Sequence, residues 1–178
     1  MPASLADIDP DFRQLVDQTL AACRQRGVEM VPYFGIRTPL EQGAFWRQSR
    51  STQEINDKIA ELRSKGASFL ADCIEAAGPK FGAHVTNAIP GNSWHQWGEA
   101  VDCYWLYNGT AEWSIDRLGN KNGYRIYAEE GTGHGLTAGG YWQSIKDWPH
   151  LQKRKDDSPT KAGISIVEIE AKMRALFP

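Results

Sequence analysis

Apolar side chains repeat at helical spacing along the first half of the chain and again near its end. The first repeat begins at Asp9 and Pro10, a pair typical of a helix N-terminus, and continues until Gly27 supplies a stop signal. Capping boxes, in which Ser or Thr is followed three residues later by Glu, open three of the later repeats. The predicted helices cover residues 10–26, 39 onward, 51–66, 68–77 and 165–177.

Two other segments have the composition of β-strands. Residues 28–36 are rich in β-forming side chains, and Pro32 within them predicts an edge strand or a bulge. Residues 100–106 alternate in polarity, so that Asp102 and Tyr104 are expected on one strand face. The pattern as a whole predicts an α+β fold in which helices pack on a small antiparallel sheet.

Length and composition favour one globular domain. The chain has 178 residues, of which 41% are apolar, and this is enough for a well-filled core. We expect the main domain over residues 1–155. Residues 156–178 are expected to form a linker and a C-terminal amphipathic helix that docks on the same domain.

Charge and cysteine content exclude several classes of protein. The formal net charge of -2 offers no basic surface for nucleic acid or an anionic membrane. Three cysteines, none in a CxxC pair, indicate neither a disulfide framework nor a Cys-rich zinc site. The sequence has no apolar run long enough for a membrane span and no signal-peptide pattern. We therefore expect a monomer that is made in the cytoplasm and binds no nucleic acid.

Residues that can carry chemistry concentrate in the second half, since all four His and six of the seven Trp lie between positions 84 and 150. His95 and Asp102 cannot reach one ion from a single helix or straight strand, so a turn must separate them. Gly98 can provide that turn. Taken alone, the pair could equally be a core histidine bonded to a buried Asp.

A second cluster, KDWPH, contains Asp147 and His150. Pro149 disfavours a helix there and predicts a turn or the end of a strand. The two clusters together supply two imidazoles and a carboxylate, the ligand types of a catalytic zinc with one open position. They also supply a spare carboxylate, Asp147, that could take a proton from water. The same ligand types form the facial triad of non-haem iron oxygenases, although the usual His-x-Asp spacing is absent.

Three segments resemble the D-alanyl-D-alanine carboxypeptidases and L-alanyl-D-glutamate endopeptidases that cut peptidoglycan, a family that includes phage endolysins. SWHQWGEAVD over residues 93–102 is similar to the family signature in which Ser-x-His precedes an Asp. DWPH over residues 147–150 is similar to its acid-x-x-His signature, and GIRTPLEQ over residues 35–42 to its upstream Arg and Gln element. The matches keep the family's order and spacing.

The resemblance implies that residues 1–155 form a zinc peptidase domain of the Hedgehog/D,D-peptidase-like fold. It implies one zinc ion bound by His95, Asp102 and His150, with Asp147 as the general base. Asp rather than Glu at the position of the base favours the endopeptidase branch.

The resemblance also assigns substrate contacts. Arg37 and Gln42 are expected to hold the substrate and polarise the scissile carbonyl or a neighbouring carboxylate, and Ser93 to hydrogen-bond the peptide. A guanidinium suits this work because it grips carboxylates through two parallel bonds.

The expected function is hydrolysis of a peptidoglycan stem-peptide bond, most consistent with L-alanyl-D-glutamate. A D-alanyl-D-alanine carboxypeptidase of the same family, and a zinc-containing module that binds cell wall without cutting it, remain alternatives. Without a signal peptide, we expect the protein to reach the wall by holin-type release, as in a phage endolysin, or by injection through a secretion apparatus.

Overall fold

The computed structural model describes residues 5–143 and 145–178. Its elements in chain order are α1 (Pro10–Gln25), β1 (Glu29–Phe34), α2 (Pro39–Arg47), α3 (Thr52–Ser64), α4 (Ser68–Ala76), β2 (Ala100–Tyr107), β3 (Thr110–Glu112), α5 (Gly123–Gly133), β4 (Thr137–Ala138), β5 (His150–Gln152) and α6 (Ile166–Leu176). Short 3₁₀ helices cover Trp94–Trp97 and Gly139–Tyr141. Within the described ranges, six α-helices and a small antiparallel sheet confirm the predicted α+β fold.

The sheet has the strand order β1-β2-β5-β4 among the described strands, with β3 also paired to β2. Every pairing is antiparallel. β1 lies at the edge, and its register against β2 slips between Pro32 and Phe34. Both consequences predicted for Pro32, an edge position and a bulge, are therefore confirmed.

This sheet belongs to a compact unit made of the chain up to Ile36 and Trp97–Lys155. Helices α1 and α5 pack against each other and against the strands. The apolar stripe predicted for α1 faces the interior, because each of its large apolar members other than Leu15 is buried. The core of this unit includes Phe12, Val16, Cys23, Val101, Trp105, Tyr127 and Leu151.

A second compact unit comprises Arg37–Gln96 and Asp156–Pro178 and contains α2, α3, α4 and α6. Helix α4 begins without a side-chain cap of its own. Instead, the buried carboxylate of Glu170 on α6 accepts hydrogen bonds from the backbone N–H groups of Phe69 and Leu70, at 2.9 and 3.0 Å. A carboxylate at this end satisfies exposed N–H groups and complements the helix dipole. The boundary expected at residue 155 stays a prediction.

In the part of the chain that the structure describes, no helix has both the length and the apolar character needed to cross a bilayer.

Candidate metal centre and active site

Asp102 and His150 occupy directly opposed positions on the neighbouring strands β2 and β5. His150 Nδ1 lies 2.9 Å from Asp102 Oδ1, and both residues are buried. The backbone N–H of Cys103 donates to the Pro149 carbonyl at 2.9 Å and thus continues the pairing beyond the end of β5. Of the two alternatives predicted at Pro149, a turn or the end of a strand, the structure shows the turn, which leads directly into β5.

The second ring nitrogen of His150 faces Gln152, with 3.1 Å between Nε2 and Oε1. The Gln152 amide nitrogen donates to the Arg154 carbonyl at 2.7 Å, so its oxygen is the atom turned toward the histidine. This contact is a hydrogen bond when His150 carries a proton on Nε2 and donates it to Gln152. Nδ1 and a carboxylate oxygen are then left facing each other at 2.9 Å, an arrangement that requires a cation, either a proton or a metal ion, between them.

The electrostatics of His150 agree with this geometry. Burial lowers the pKa of His150, but the hydrogen bond and charge of Asp102, the charge of Asp147 and the bond to Gln152 outweigh it and raise the pKa above its usual 6.5. Without a metal, the surroundings favour a proton on this ring. Any positive charge at Nδ1 is stabilised in the same way.

His95 lies on the 3₁₀ helix Trp94–Trp97. One ligand atom of His95 and one from each of Asp102 and His150 all lie within 4.8 Å of one another, and the three residues are buried. Atoms bound at about 2.1 Å to one ion are at most about 4.2 Å apart, so small side-chain shifts complete the site. Two imidazole nitrogens and one carboxylate oxygen fit zinc, and they leave a coordination position for water or substrate.

Gly98 forms the predicted turn between His95 and Asp102. Its φ is +69°, a conformation that side chains bearing a Cβ rarely adopt. A Cβ there would lie 3.1 Å from the backbone nitrogen of Asp9 and 3.2 Å from the Cα of Ile8. The position therefore requires glycine for two separate reasons.

Asp147 is half-buried in the turn that leads into β5. Its backbone N–H donates to the Gly139 carbonyl at 3.0 Å, and its own carbonyl accepts from the His150 N–H at 3.2 Å. A Cβ on Gly139 would lie 2.4 Å from the Asp147 carbonyl oxygen, so this glycine permits the close approach. This contact between Gly139 and the DWPH segment joins residues eight positions apart, and no sequence pattern predicts it.

Arg37 lies beside His95 in the chain fold, because its backbone N–H donates to the His95 carbonyl at 3.2 Å. Its Nη1 donates to Gln42 Oε1 at 2.9 Å, and its guanidinium lies 5.0 Å from the centre of the Phe45 ring. The side chain is half-buried. A guanidinium held from two sides is oriented before a ligand arrives.

Gln42 is fully buried, with 0% of its surface exposed. Besides binding Arg37, Oε1 accepts from Gln96 Nε2 at 3.0 Å, and the Gln42 amide nitrogen donates to the Ala88 carbonyl at 2.6 Å. The structure thus brings Gln42 into contact with Arg37, and a contact between Gln42 and substrate stays a prediction. Gln96, also buried, was not anticipated as part of this network.

Ser93 precedes the 3₁₀ helix and is half-buried, and its carbonyl accepts from the Gln96 N–H at 3.0 Å. A contact between its hydroxyl and the peptide stays a prediction. Glu99 follows His95 by four residues and could be a further ligand if both lay on one helix. It is instead paired with Arg154 through hydrogen bonds of 2.6 and 2.8 Å. Within the described ranges, the metal-type grouping contains only the three predicted ligands.

Besides Gln96, two further residues contact the site in ways that the motifs do not predict. Gln152 follows His150 by two positions on a strand, so strand periodicity alone places the two on one face. Trp142 packs its ring 5.0 Å from the His150 ring. No sequence pattern marks that second contact.

Comparison with known proteins gives the same family as the motifs. Residues 6–128 match the model of the VanY family, described as D-alanyl-D-alanine carboxypeptidase. This span includes Arg37, His95 and Asp102 and ends before Asp147 and His150. The peptidoglycan L-alanyl-D-glutamate endopeptidase CwlK of Bacillus subtilis is 27% identical over 151 residues, which cover 83% of this chain and 74% of CwlK.

Solved structures of two such peptidases are also similar. The L-Ala D-Glu endopeptidase ChiX of Serratia marcescens is 18% identical with a TM-score of 0.45, over 83% of this chain and 81% of ChiX. A vancomycin-resistance D,D-pentapeptidase VanY variant in complex with Zn(II) is 22% identical with a TM-score of 0.46, over 98% of this chain and 84% of that chain. Because the family model matches more than half of the sequence, the chain belongs to the VanY family of peptidases and is a hydrolase that acts on peptidoglycan.

Proposed function

We propose that the protein is a zinc-dependent endopeptidase that hydrolyses the L-alanyl-D-glutamate bond of the peptidoglycan stem. The observation that carries the proposal is the buried grouping of His95, Asp102 and His150, whose ligand atoms lie within 4.8 Å of one another. Two imidazoles and a carboxylate would hold one zinc ion with an open position. When bound, zinc lowers the pKa of a coordinated water to about 7 and polarises a carbonyl oxygen.

Asp147 is the general base in this proposal. It lies in the turn next to His150, and its charge already acts on the ring of that histidine. The carboxylate takes a proton from the attacking water as the C–O bond forms, and it then delivers this proton to the leaving amine as the peptide C–N bond breaks. Half-burial keeps the carboxylate near solvent and able to exchange that proton.

Arg37 binds the substrate in this proposal. Its guanidinium, oriented by Gln42 and the Phe45 ring, pairs with a carboxylate of the stem peptide and stabilises negative charge on the scissile carbonyl oxygen. Gln42 acts behind it, since its amide is buried and bonded within the protein. Ser93 is proposed to hydrogen-bond the peptide backbone near His95.

Two observations favour the L-alanyl-D-glutamate bond as the one that is cleaved. Asp at the position of the base favours the endopeptidase branch, and the relative CwlK is named as an L-alanyl-D-glutamate endopeptidase. The family description favours the second candidate, a D-alanyl-D-alanine carboxypeptidase. The two activities release different products from the same substrate, so one digestion separates them.

The experiment is digestion of purified peptidoglycan by the zinc-loaded protein, with new termini identified by mass spectrometry. The endopeptidase leaves L-alanine as the new C-terminus on the muramyl group and D-glutamate as a new N-terminus. Release of free D-alanine from pentapeptide stems would instead establish the carboxypeptidase. In either case Asp147→Asn should lower the rate by about 10²–10⁴-fold while zinc content stays at one ion per chain. An Asp147→Asn protein with full activity would exclude Asp147 as the base.

A further inference from the structure

Three aromatic rings form a partly exposed group on the sheet, and we call Tyr33, Tyr104 and Trp113 the aromatic cluster. The Trp113 ring centre lies 5.1 Å from that of Tyr33 and 5.8 Å from that of Tyr104, and the two tyrosine rings are 6.3 Å apart. Trp113 is 55% exposed and Tyr33 37%, whereas Trp94 and Trp105 are 2% exposed and belong to the interior. The cluster therefore presents aromatic surface to solvent from rings that fix one another in place.

The cluster continues the strand face that carries the metal ligand Asp102. Tyr104 follows Asp102 by two positions on β2, so the two side chains share a face about 7 Å apart along the strand. β1 supplies Tyr33 from one side of β2. Trp113, the residue after β3, contacts Tyr104 from the other side.

The substrate has a group of matching chemistry at a matching distance, if the bond cut is L-alanyl-D-glutamate as proposed above. In peptidoglycan the stem begins with L-alanine, which is joined through a lactyl group to a muramic acid sugar. One extended residue spans about 3.5 Å, so that sugar lies within about 10 Å of the scissile carbonyl. In D-alanyl-D-alanine cleavage several more residues would separate them.

We propose that the aromatic cluster is a binding site for the muramyl sugar of the glycan strand that carries the stem peptide. The sugar ring offers a face of C–H groups that packs on aromatic rings, while its hydroxyl and acetamido groups remain in water. Trp113 and Tyr33 supply the exposed rings, and the half-buried Tyr104 contacts both of them. This inference rests on the proposed endopeptidase function. With such a sugar site, the enzyme cleaves stem peptides that are still attached to glycan in preference to free ones.

The experiment compares two substrates, a disaccharide muropeptide and the same stem peptide without sugar. The readout is the ratio of their kcat/KM values. Trp113→Ala and Tyr33→Leu should each lower the kcat/KM for the muropeptide, divided by that for the sugar-free peptide, by about three- to tenfold. Phe81→Ala is the matched control, because Phe81 is a 91% exposed aromatic residue outside the cluster, and it should leave the ratio unchanged. Circular dichroism verifies that each variant is folded.

A second measurement keeps this proposal separate from the proposed function. The disaccharide of N-acetylglucosamine and N-acetylmuramic acid is titrated into the zinc-loaded protein and followed by NMR. Shifts of the Trp113 indole signal in the wild type, and weaker binding by Tyr33→Leu, would support the sugar site even if the L-alanyl-D-glutamate bond were not the one cut. Absence of these shifts together with an unchanged kcat/KM ratio in both cluster variants would overturn it.

Discussion

His150 Nε2 lies 3.1 Å from Gln152 Oε1, and the other end of the Gln152 amide is fixed by its bond to the Arg154 carbonyl. Gln152 is 1% exposed, so water does not compete for its oxygen. The pair selects the tautomer that directs the Nδ1 lone pair toward Asp102. A residue behind a ligand can in this way set which nitrogen is available to a metal ion.

Replacing Gln152 by Leu should weaken zinc binding by about 10- to 100-fold. Leucine has similar volume and no acceptor, so the His150 ring loses the bond that fixes its tautomer. Competition with a chromophoric chelator measures the affinity, and ¹⁵N shifts of the imidazole in the metal-free protein report which nitrogen carries the proton. Gln152→Glu, which retains an acceptor, serves as the control and should bind zinc more tightly than Gln152→Leu. Equal zinc affinity in wild type and Gln152→Leu would contradict the assigned role.

The elements predicted correctly are those determined by interactions between residues close together in the sequence. Each of the three predicted capping boxes is present, because a Ser or Thr oxygen and a Glu three residues later satisfy N–H groups without help from distant chain. The start of α5 at Gly123, capped by Asn122, was not predicted, and β4 has only two residues, too few for a periodicity to be visible.

In the candidate site, too, some features follow from local motifs and others depend on residues distant in the sequence. The motifs predict His95, Asp102 and His150 as ligands, and in the structure one ligand atom of each lies within 4.8 Å of the other two. Gln42 was expected at the substrate, and its complete burial could not be read from a polar residue on a short helix. That outcome depends on Ala88 and Gln96, which lie more than 40 positions further along the chain.

The metal-free protein should lose stability as the pH rises above about 6.5. The pKa of His150 is raised in the folded state, so its contribution to the free energy of unfolding is fully present below the unfolded pKa. That contribution is lost as the pH rises through the folded pKa, because the proton between His150 and Asp102 leaves. Urea unfolding of chelator-treated protein between pH 5.5 and 9 measures the slope.

Zinc should remove that slope, since the ion replaces the proton between the two ligand atoms and binds only the deprotonated ring. His150→Gln provides the control, and its metal-free form should lack the dependence. An increase in stability of the metal-free wild type through the same pH range would show that the sign is wrong.

Gln42→Leu should reduce both stability and catalysis. In this variant Arg37, Gln96 and the Ala88 carbonyl each lose their hydrogen bond to Gln42. We expect this loss to lower the free energy of unfolding by about 1–3 kcal/mol. We expect kcat/KM to fall at least about tenfold, as the guanidinium of Arg37 loses its orientation. Urea unfolding and steady-state kinetics on the stem peptide measure the two effects.

Gln42→Glu distinguishes positioning from direct substrate contact. A carboxylate retains the acceptor for Arg37 but loses the donor to the Ala88 carbonyl, so a positioning role predicts that kcat/KM rises above that of Gln42→Leu while a loss of stability remains. If Gln42 instead touched the carboxylate-rich stem peptide, the added negative charge would raise KM beyond that of Gln42→Leu.

Gly98→Ala should destabilise the protein more than Gly66→Ala. Both glycines have positive φ, +69° and +78°, so both substitutions incur the strain of a left-handed backbone, about 1–2 kcal/mol. Nothing lies within 4 Å of a Cβ at Gly66, whereas a Cβ at Gly98 meets the Asp9 nitrogen at 3.1 Å. The difference between the two free energies of unfolding therefore isolates the close contact, and we expect it to exceed about 1 kcal/mol. Only Gly98→Ala should also weaken zinc binding, because the turn it forms sets His95 relative to Asp102 along the chain. If the two variants lost equal stability and bound zinc equally well, the requirement for glycine at position 98 would come from backbone conformation alone. Packing against residues 8 and 9 would then play no part.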